Sequence, residues 1–275
     1  MRSDVIRILS DVHFGDRASR VRKLRQLRPL LHDVSGVVLN GDTLDTRPGP
    51  ALTGTADLVA EVTDFFPHEV PSATMLTGNH DPDVTPLHAL DLAGGRVFAV
   101  HGDVLFDEIV PWGQDVPLVT RLMAAERLIP PPAALSELDH RLAVWRRVAG
   151  RIPQRHQSER HGVKYACKYA LDTVWPPNRV LKIFAAWREA PHLAAALLRR
   201  HRPAARFIVT GHTHRPGVWR MPGGLTVINT GSFCLPLGGC AVDVTPEQIT
   251  VRQVVARRGE FYAGKILAGF ALAGE

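Results

Sequence analysis

The sequence predicts an α/β fold: a two-sheet β-sandwich core flanked by helices, with a helical cap inserted into it. Three observations predict this class. Over about the first hundred residues, short runs rich in Val, Ile and Leu alternate with helical patterns, as in layered α/β proteins. After residue 214, apolar runs follow one another without helices, which is typical of an antiparallel sheet. Between these parts lies a long helical pattern broken by prolines.

Length and composition favour a large core with an insertion. The chain has 275 residues, 45% of them hydrophobic, which suffices for a buried core and excludes a disordered tail or a small disulfide-stapled peptide. Its three cysteines form no CxxC pair, so a reducing, cytoplasmic compartment is expected. Charges interrupt the first apolar residues, and no apolar run reaches the roughly 18 residues of a spanning helix. We therefore expect a soluble protein, with peripheral contact to a membrane as an alternative.

The predicted elements of the core follow in order along the chain. Strands are predicted over five apolar runs that each end in a polar turn, at 5–9, 37–39, 74–76, 97–100 and 207–209. Helices are predicted at 17–31 and 55–66, where apolar residues recur at helical spacing. The later strands are predicted at 218–221, 225–229, 239–244 and 249–255. The apolar tail at 261–272 is expected to pack on the body, with self-association or membrane contact as alternatives.

Residues 107–206 do not follow this pattern and are predicted to form the helical cap, inserted between the core portions 1–106 and 207–275. We call this region the 107–206 segment. Leu135, Leu138, Leu142, Trp145 and Val148 form one apolar stripe at helical spacing. Further helices are predicted at 158–174 and from residue 178, with a break or a new first turn at residue 191. The segment carries 17 Lys and Arg against 9 Asp and Glu, so it accounts for the basicity of a chain whose net charge is +6.

The polar turns after the strands carry potential metal ligands. They are Asp11-x-His13, Gly41-Asp42, Gly78-Asn79-His80-Asp81, His101 and Gly211-His212-Thr213-His214. Taken singly, such residues often only close turns by hydrogen bonds. Taken together, they favour a metal site, and mixed carboxylate and imidazole donors suit Mn, Fe or Zn. Loops at the carboxyl edge of a sheet converge, so residues distant in sequence can share one site.

This ordered set resembles the calcineurin-like metallophosphoesterase superfamily, whose motifs are Asp-x-His, Gly-Asp, Gly-Asn-His-Asp/Glu, His and Gly-His-x-His. The resemblance implies two divalent cations, Mn in the first place and Fe or Zn as alternatives, that activate water for attack on phosphorus. One cation would be held by Asp11, His13, Asp42 and His214, and the other by Asp42, Asn79, His101 and His212. The substrate would be an anionic, phosphate-containing small molecule or a lipid-linked one.

The resemblance also implies catalytic roles for the third motif. His80 would stabilise the transition state and help to protonate the leaving group. Asp81 would orient His80 or raise its basicity. The alternative for His80 is a structural histidine that supports a ligand. Asp45, Arg47, Asp103 and Arg215 are further candidates because they neighbour the motifs, while the substrate contacts are not predicted.

Within the superfamily, three features resemble the UDP-2,3-diacylglucosamine hydrolase branch. They are His101-Gly102-Asp103, the extension of the last motif through Arg215-Pro216, and the later Asn229-Thr230-Gly231-Ser232. A helical insertion between His101 and His212 also suits that branch, where it covers acyl chains. That branch commonly has arginine at the position of His80, so this sequence departs from it there.

Two other functions stay open at this level. A nuclease or a phosphodiesterase on nucleic acid is suggested by the sequence pI of about 9.6, and its binding should weaken steeply with salt. The basic side chains of the 107–206 segment are equally compatible with a solvated surface. The third alternative is a non-catalytic, metal-binding scaffold that recruits other proteins.

Overall fold

The computed structural model describes residues 4–49, 55–130, 132, 134–154 and 177–272. Its strands are β1 Ile6–Leu9, β2 Gly36–Asn40, β3 Ser72–Leu76, β4 Ala89–Leu92, β5 Val97–Val100, β6 Phe207–Thr210, β7 Gly217–Met221, β8 Leu225–Asn229, β9 Cys240–Val244, β10 Gln248–Arg257 and β11 Glu260–Ala271. Its α-helices are α1 Arg28–Leu31, α2 Thr55–Glu69, α3 Val116–Glu126, α4 Glu137–Ala149 and α5 Pro177–His201.

The strands form two mixed sheets. The first has the order β11-β10-β9-β1-β2-β3 and the second the order β4-β5-β6-β8-β7. In the first sheet β1, β2 and β3 run parallel, and in the second β5, β6 and β8 do. Each parallel group therefore ends at a single edge of its sheet, and the polar turns follow at these edges.

Alternating side chains explain why the sheets stack. In β1, Ile8 packs between the sheets, whereas the next residue, Leu9, packs on the outer side. In β5, Ala99 faces the sheet interface and Phe98 faces outward. Because successive side chains of a strand point to opposite faces, both faces of each sheet must be covered by apolar partners.

Helices supply that cover on the outer faces. Helices α1 and α2 cover the first sheet through Leu30, Val62 and Phe66. Helices α3, α4 and α5 contribute Val119, Leu142 and other buried residues to the apolar cluster on the second sheet. The result is a helix–sheet–sheet–helix sandwich, which confirms the predicted fold class. The division at residues 107 and 206 stays a prediction, since the helices of the 107–206 segment share their apolar cluster with the second sheet.

The prediction of a helix at 17–31 was wrong. Only a 3-10 turn at Leu24–Leu27 and the one-turn helix α1 form there. Pro29 lies in the first turn of α1, where its missing N–H is tolerated, whereas in a helix over 17–31 it would remove an interior hydrogen bond at a cost of about 3 kcal/mol. The backbone N–H of Arg20 instead donates to the Phe233 carbonyl over 3.0 Å. The first part of the predicted helix is therefore bonded to a segment distant in sequence.

The apolar tail packs on the body as predicted, through Phe261 in the outer cluster and Leu272 in the cluster between the sheets, and it does so as a strand. Residues 260–271 form β11, which pairs antiparallel with β10 from Arg257 opposite Glu260 to Gln248 opposite Ala271. Arg258 and Gly259 both have positive φ in the turn, as two-residue hairpins require. The sequence analysis also missed β4, a short strand beside β5.

Helix α5 runs through Pro191 without ending, so the predicted break is wrong. Alanines at 185, 186, 190, 194 and 195 surround this position, and their high helix propensity offsets the proline. The helix predicted at 158–174 lies outside the described residues. No helix in the described part of the chain combines the length and the apolar character needed to cross a membrane.

Candidate metal centre

Backbone strain is concentrated at the predicted ligands. Asp11, His13, Asp42, His212 and His214 have φ of 51°, 48°, 51°, 69° and 56°. Residues other than glycine rarely adopt this left-handed conformation, which costs about 1–3 kcal/mol and persists where the surroundings enforce it. These turns directly follow β1, β2 and β6, so the strained backbone aims their side chains at one another.

Hydrogen bonds between the turns hold the two sheet edges together. The backbone N–H of Asp11 donates to the Gly41 carbonyl over 3.0 Å, which joins the turns after β1 and β2. The N–H of His212 lies 3.1 Å from both carboxylate oxygens of Asp11, which joins the turn after β6 to the first sheet. Gly211 is required for this approach, because a Cβ at its position would overlap the Asp11 carboxylate and the Ser10 hydroxyl.

One group of predicted ligands surrounds His13. Its Nε2 lies 3.1 Å from His214 Nε2 and 3.8 Å from both Asp11 Oδ1 and Asp42 Oδ2. His214 Nε2 in turn lies 3.1 Å from Asp11 Oδ1. Four side chains predicted to hold one cation thus converge around a common point.

The second group shares Asp42 with the first. His101 Nε2 lies 3.2 Å from Asp42 Oδ2, and ligand atoms of Asp42, His101 and His212 all lie within 4.8 Å of one another. Asn79 precedes His80, whose N–H donates to Asp42 Oδ1 over 2.8 Å, and its own side-chain oxygen is buried. The structure therefore brings together six of the seven side chains predicted as ligands and ties the loop that carries the seventh, Asn79, to Asp42.

Hydrogen bonds to backbone carbonyls fix which ring nitrogens of His101 and His212 face the site. His101 Nδ1 lies 3.0 Å from the Asn40 carbonyl and His212 Nε2 lies 2.8 Å from the Ile109 carbonyl. Because a carbonyl only accepts, these nitrogens carry the hydrogens. His101 Nε2 and His212 Nδ1 are then free to bind a cation, and such bonds to the far nitrogen are typical of metal-binding histidines.

Unsatisfied acceptors show that the site fits a cation. His101 Nε2 and Asn79 Oδ1 are buried and have no hydrogen-bond partner among the described residues. His101 Nε2 faces the Asp42 carboxylate at 3.2 Å, so either a proton or a cation must lie between these two atoms. Buried acceptors normally have donors, and a divalent cation between them would supply the missing positive charge.

The histidine pKa values follow from burial and from the carboxylates. Burial and the neighbouring His80 lower the pKa of His13 to about 4, and burial with the charge of His101 lowers the pKa of His212 to about 4. Both rings are therefore neutral near pH 7, which is the form that binds metals. Burial also lowers the pKa of His101, but Asp42 and Asp11 outweigh it and raise that pKa to about 10. Without a cation this ring therefore holds a second proton on Nε2, and a cation bound there would displace it.

His80 lies at the edge of this cluster, with its side chain 22% exposed. Its Nε2 is 3.9 Å from Asp42 Oδ2, and its Nδ1 is 2.9 Å from Asp45 Oδ2. Burial and Arg47 lower the pKa of His80, while Asp42 and Asp45 outweigh them and raise it above its ordinary value. The ring is therefore oriented and kept basic by Asp45.

The expected role of Asp81 as the partner of His80 was wrong. Its Oδ1 accepts hydrogen bonds from the N–H groups of Gly78 and Asp42, and its Oδ2 from that of Thr43, over 2.6, 3.0 and 2.7 Å. Asp81 therefore fixes the loop after β3 to the loop after β2. The contact predicted for Asp81, which follows His80 in sequence, is made instead by Asp45. The sequence marks Asp45 only as a neighbour of the motifs.

Arg47 and Gln154 complete the surroundings of Asp45. Arg47 donates to both carboxylate oxygens of Asp45 over 3.0 and 2.7 Å, and Gln154 Nε2 donates to Oδ1 over 3.0 Å. Burial raises the pKa of Asp45, but His80 and Arg47 outweigh it and hold that pKa far below its usual range. Asp45 is thus a carboxylate near neutral pH.

The 107–206 segment contacts the site at several further points. Arg146 of α4 donates to both carboxylate oxygens of Asp103, two residues after His101. Trp187 of α5 donates its indole N–H to the Thr213 carbonyl over 2.9 Å. The sequence analysis had assigned Arg146 to a solvated or phosphate-binding face, and its burial with Asp103 corrects that assignment. The basic residues 155, 160, 164 and 168 lie outside the described residues.

Sequence reasoning missed a thiol beside the first group of ligands. Cys234 is buried, and one ligand atom each of His13, His214 and Cys234 lie within 4.8 Å of one another. Burial and the carboxylates of Asp16 and Asp11 raise the pKa of this thiol. No sequence motif joins Cys234 to the histidines, because only the fold brings the segment after β8 next to the turn after β1.

Fold and site together define a metal-dependent phosphoester hydrolase, and a comparison with family models agrees. The model described as calcineurin-like phosphoesterase matches residues 5–216, a range that contains all five motifs. The chain therefore belongs to the calcineurin-like phosphoesterase family and is a metal-dependent phosphoesterase. This confirms the resemblance and the enzyme class predicted from the sequence. No curated protein matches the chain.

Several solved structures are similar to the chain at low sequence identity. A Vps29 mutant from Entamoeba histolytica is 11% identical with a TM-score of 0.43, covering 98% of this chain and 99% of its own. A predicted phosphoesterase from Streptococcus pneumoniae is 15% identical with a TM-score of 0.38, covering 98% and 99%. A dimetal phosphatase from Danio rerio is 14% identical with a TM-score of 0.40, covering 90% and 95%. Since these values are low, the family assignment rests on the family model.

Proposed function

We propose that the chain hydrolyses a phosphoester or pyrophosphate bond in a site that holds two divalent cations. The observation that carries this proposal is the convergence of buried ligand-type groups on Asp42: its Oδ2 lies 3.2 Å from His101 Nε2, and ligand atoms of Asp42, His101 and His212 lie within 4.8 Å of one another. A single carboxylate shared by two groups of ligands suits two cations.

Asp11, His13, Asp42 and His214 would hold one cation, and Asp42, Asn79, His101 and His212 the other. When bound, such a pair of ions neutralises phosphate oxygens and lowers the pKa of water for attack on phosphorus. Mixed oxygen and nitrogen donors suit Mn, Fe or Zn. The protein's own contribution is to fix the ligands, through strained turns and through the carbonyls that bind the far nitrogens of His101 and His212.

His80 is the residue placed to move a proton. It is more exposed than the buried ligands beside it, so a substrate can reach its ring. Asp45 holds Nδ1 at 2.9 Å, which leaves Nε2 on the side of the ligands. His80 would stabilise the transferring phosphoryl group and donate a proton from Nε2 to the departing oxygen.

A small anionic substrate with an apolar part is the class that the surroundings favour. A cavity of about 200 Å³ lies between the end of segment 106–111, α3 and α5, with Phe106, Ala186 and Lys182 among its lining residues. Phe106 also packs against His212, with ring centroids 6.0 Å apart. The cavity thus adjoins a proposed ligand. Its lining is mostly apolar, with Lys182 beside the carboxylates of Glu108 and Glu189, so it suits the apolar part of a nucleotide-linked or lipid-linked substrate rather than the phosphate itself.

Ion pairing argues against nucleic acid as the favoured substrate. Arg147 lies 2.8 Å and Arg151 3.4 Å from carboxylate oxygens of Glu126, and Arg200 lies 2.6 Å from Glu137. These guanidinium groups of the 107–206 segment already have intramolecular partners. Fewer cations then remain for phosphate contacts along a strand.

The first experiment couples metal analysis to turnover. The purified chain should bind about two divalent cations and hydrolyse an aryl phosphate diester. Asp42→Asn should lose both cations and the activity, because Asp42 serves both groups. Asp33→Asn, which changes an exposed carboxylate, is the matched control and should retain both. Stoichiometric metal without hydrolysis of any phosphoester would instead indicate a metal-binding scaffold.

The second experiment separates the substrate classes. A panel of UDP-linked glycolipids, nucleotide pyrophosphates and oligonucleotides should give turnover with the small substrates, with little dependence on salt. A preference for oligonucleotides, with binding that weakens steeply as salt rises, would establish the nuclease alternative.

A further inference from the structure

A buried thiol lies in the first group of ligands. One ligand atom each of His13, His214 and Cys234 lie within 4.8 Å of one another, and the two imidazole Nε2 atoms are 3.1 Å apart. Ligand atoms bound to one zinc ion lie about 3.5 Å apart, given Zn–N and Zn–S bonds of about 2.0–2.3 Å. A small adjustment of side chains is enough for a single cation to contact all three.

The backbone fixes Cys234 in this position. The Phe233 N–H donates to the Asp11 carbonyl over 3.1 Å, and the Phe233 carbonyl accepts from Arg20 over 3.0 Å. Cys234 itself forms an antiparallel bridge with Ser19. The segment that carries the thiol is therefore tied on one side to a ligand residue and on the other to the chain that follows His13.

The second buried free cysteine in the described part of the chain, Cys240, has a different environment. The Cys240 thiol lies 3.4 Å from the Asn229 carbonyl and packs in the apolar cluster between the sheets. It belongs to none of the groups of three or more ligand-type side chains found among the described residues. Cys240 therefore serves as a matched control for Cys234.

We propose that Cys234 is a ligand of the cation held by His13 and His214, so that this half of the site contains a sulfur donor besides its nitrogens and carboxylates. The inference rests on the proposed function and refines it. On binding, the metal–sulfur bond forms as the S–H bond breaks, and the proton passes to solvent without any change in oxidation state. Thiolate is a soft ligand that suits Zn and disfavours Mn, so this half of the site selects zinc against the manganese expected from sequence.

The test uses X-ray absorption at the zinc edge on the full chain loaded with zinc. The wild type and Cys240→Ser should show a sulfur shell at about 2.3 Å, averaging one sulfur per two zinc ions, and Cys234→Ser should lack it. Loading with cobalt gives an independent readout. The wild type and Cys240→Ser should show a thiolate-to-metal charge-transfer band, and Cys234→Ser should lack it. Cys234→Ser should also bind zinc at least about 10–100-fold more weakly at one site, with manganese affinity unchanged.

The outcomes separate this inference from the proposed function. Two bound zinc ions without a sulfur shell in the wild type would overturn the role of Cys234 and leave the phosphoesterase site intact. A sulfur shell that persists in Cys234→Ser, or that disappears in Cys240→Ser, would overturn it as well. Failure of the wild type to bind stoichiometric metal would overturn the proposed function itself. If Cys234→Ser does not fold, a Cys167→Ser/Cys240→Ser double variant, whose remaining cysteine is Cys234, still decides: it should keep the sulfur shell, and loss of the shell would overturn the inference.

Discussion

Arg146→Met should destabilise the protein strongly. Arg146 of α4 and Asp103 form an ion pair with side chains only 5% and 0% exposed. Both hydrogen bonds come from Nη2, and Nε and Nη1 have no hydrogen-bond partner among the described residues. Methionine keeps much of the aliphatic length, so the change mainly removes the positive charge and leaves the Asp103 carboxylate buried without its partner.

The expected loss of stability in Arg146→Met follows from the burial of the ion pair and from the chain length. Removing one member of a buried pair costs about 3–5 kcal/mol. Unfolding entropy of about 2.1 cal/mol/K per residue, over 275 residues, amounts to about 0.6 kcal/mol/K. The melting temperature should therefore fall by about 5–9 °C, measured by calorimetry at pH 7 with a fixed metal concentration.

Arg200→Met is the matched control. Arg200 pairs with Glu137 at 2.6 Å, but these side chains are 67% and 63% exposed. An exposed pair contributes about 0–1 kcal/mol, so the melting temperature should change by less than about 2 °C.

Equal melting temperatures for the two variants would refute the reasoning. A second comparison tests the cause directly: adding Asp103→Asn to Arg146→Met removes the uncompensated charge and should recover part of the lost stability. If the double variant is no more stable than Arg146→Met, the buried charge is not what destabilises it.

Four further outcomes are expected. His80→Asn should lower kcat about 10²–10⁴-fold, most for poor leaving groups, and metal analysis should find the cation content unchanged; full kcat would exclude the acid role. Asp45→Asn should lower kcat less, while Asp33→Asn should match the wild type; an Asp45→Asn rate equal to that of Asp33→Asn would contradict the positioning role. Gly211→Ala should weaken metal binding in a calorimetric titration, since the added Cβ would overlap the Asp11 carboxylate, and unaltered affinity would disprove that steric argument. Chelation should lower stability by about 2.7 kcal/mol for each bound cation, relative to metal at a hundred times its Kd; identical urea curves would show that the cations do not stabilise the fold.

The sequence predicted the strands and the ligand turns because both are local patterns. Short apolar runs predicted β1, β2, β3, β5 and β6, and each polar turn was visible at the end of its run. Helix formation at 17–31 could not be judged locally, because the Arg20 backbone bonds to Phe233 far along the chain. The packing of the tail on the body was predicted, but its pairing with β10 was not, since that pairing depends on the turn at residues 258–259.

Contacts between loops explain what the sequence analysis missed in the site. Asp81 adjoins His80 in sequence, yet its carboxylate turns to three backbone N–H groups, and Asp45 from another loop contacts the ring. Cys234 reaches His13 only through the packing of the segment after β8. Motifs specify the residue types and the order of the ligands, whereas the partners of those ligands depend on which loops the fold brings together.

The Ile109 carbonyl accepts a hydrogen bond from the His212 ring over 2.8 Å, and this contact limits how far the chain can be shortened. Ile109 lies within the 107–206 segment, whose helices also shield Phe98, Val100 and Ile208 on the outer face of the second sheet. Excising the segment to obtain a minimal enzyme would free the imidazole to rotate and would expose that face to water. The smallest working unit therefore includes the insertion, and a library of chimeras should exchange its surface while retaining Ile109 and the residues beneath it.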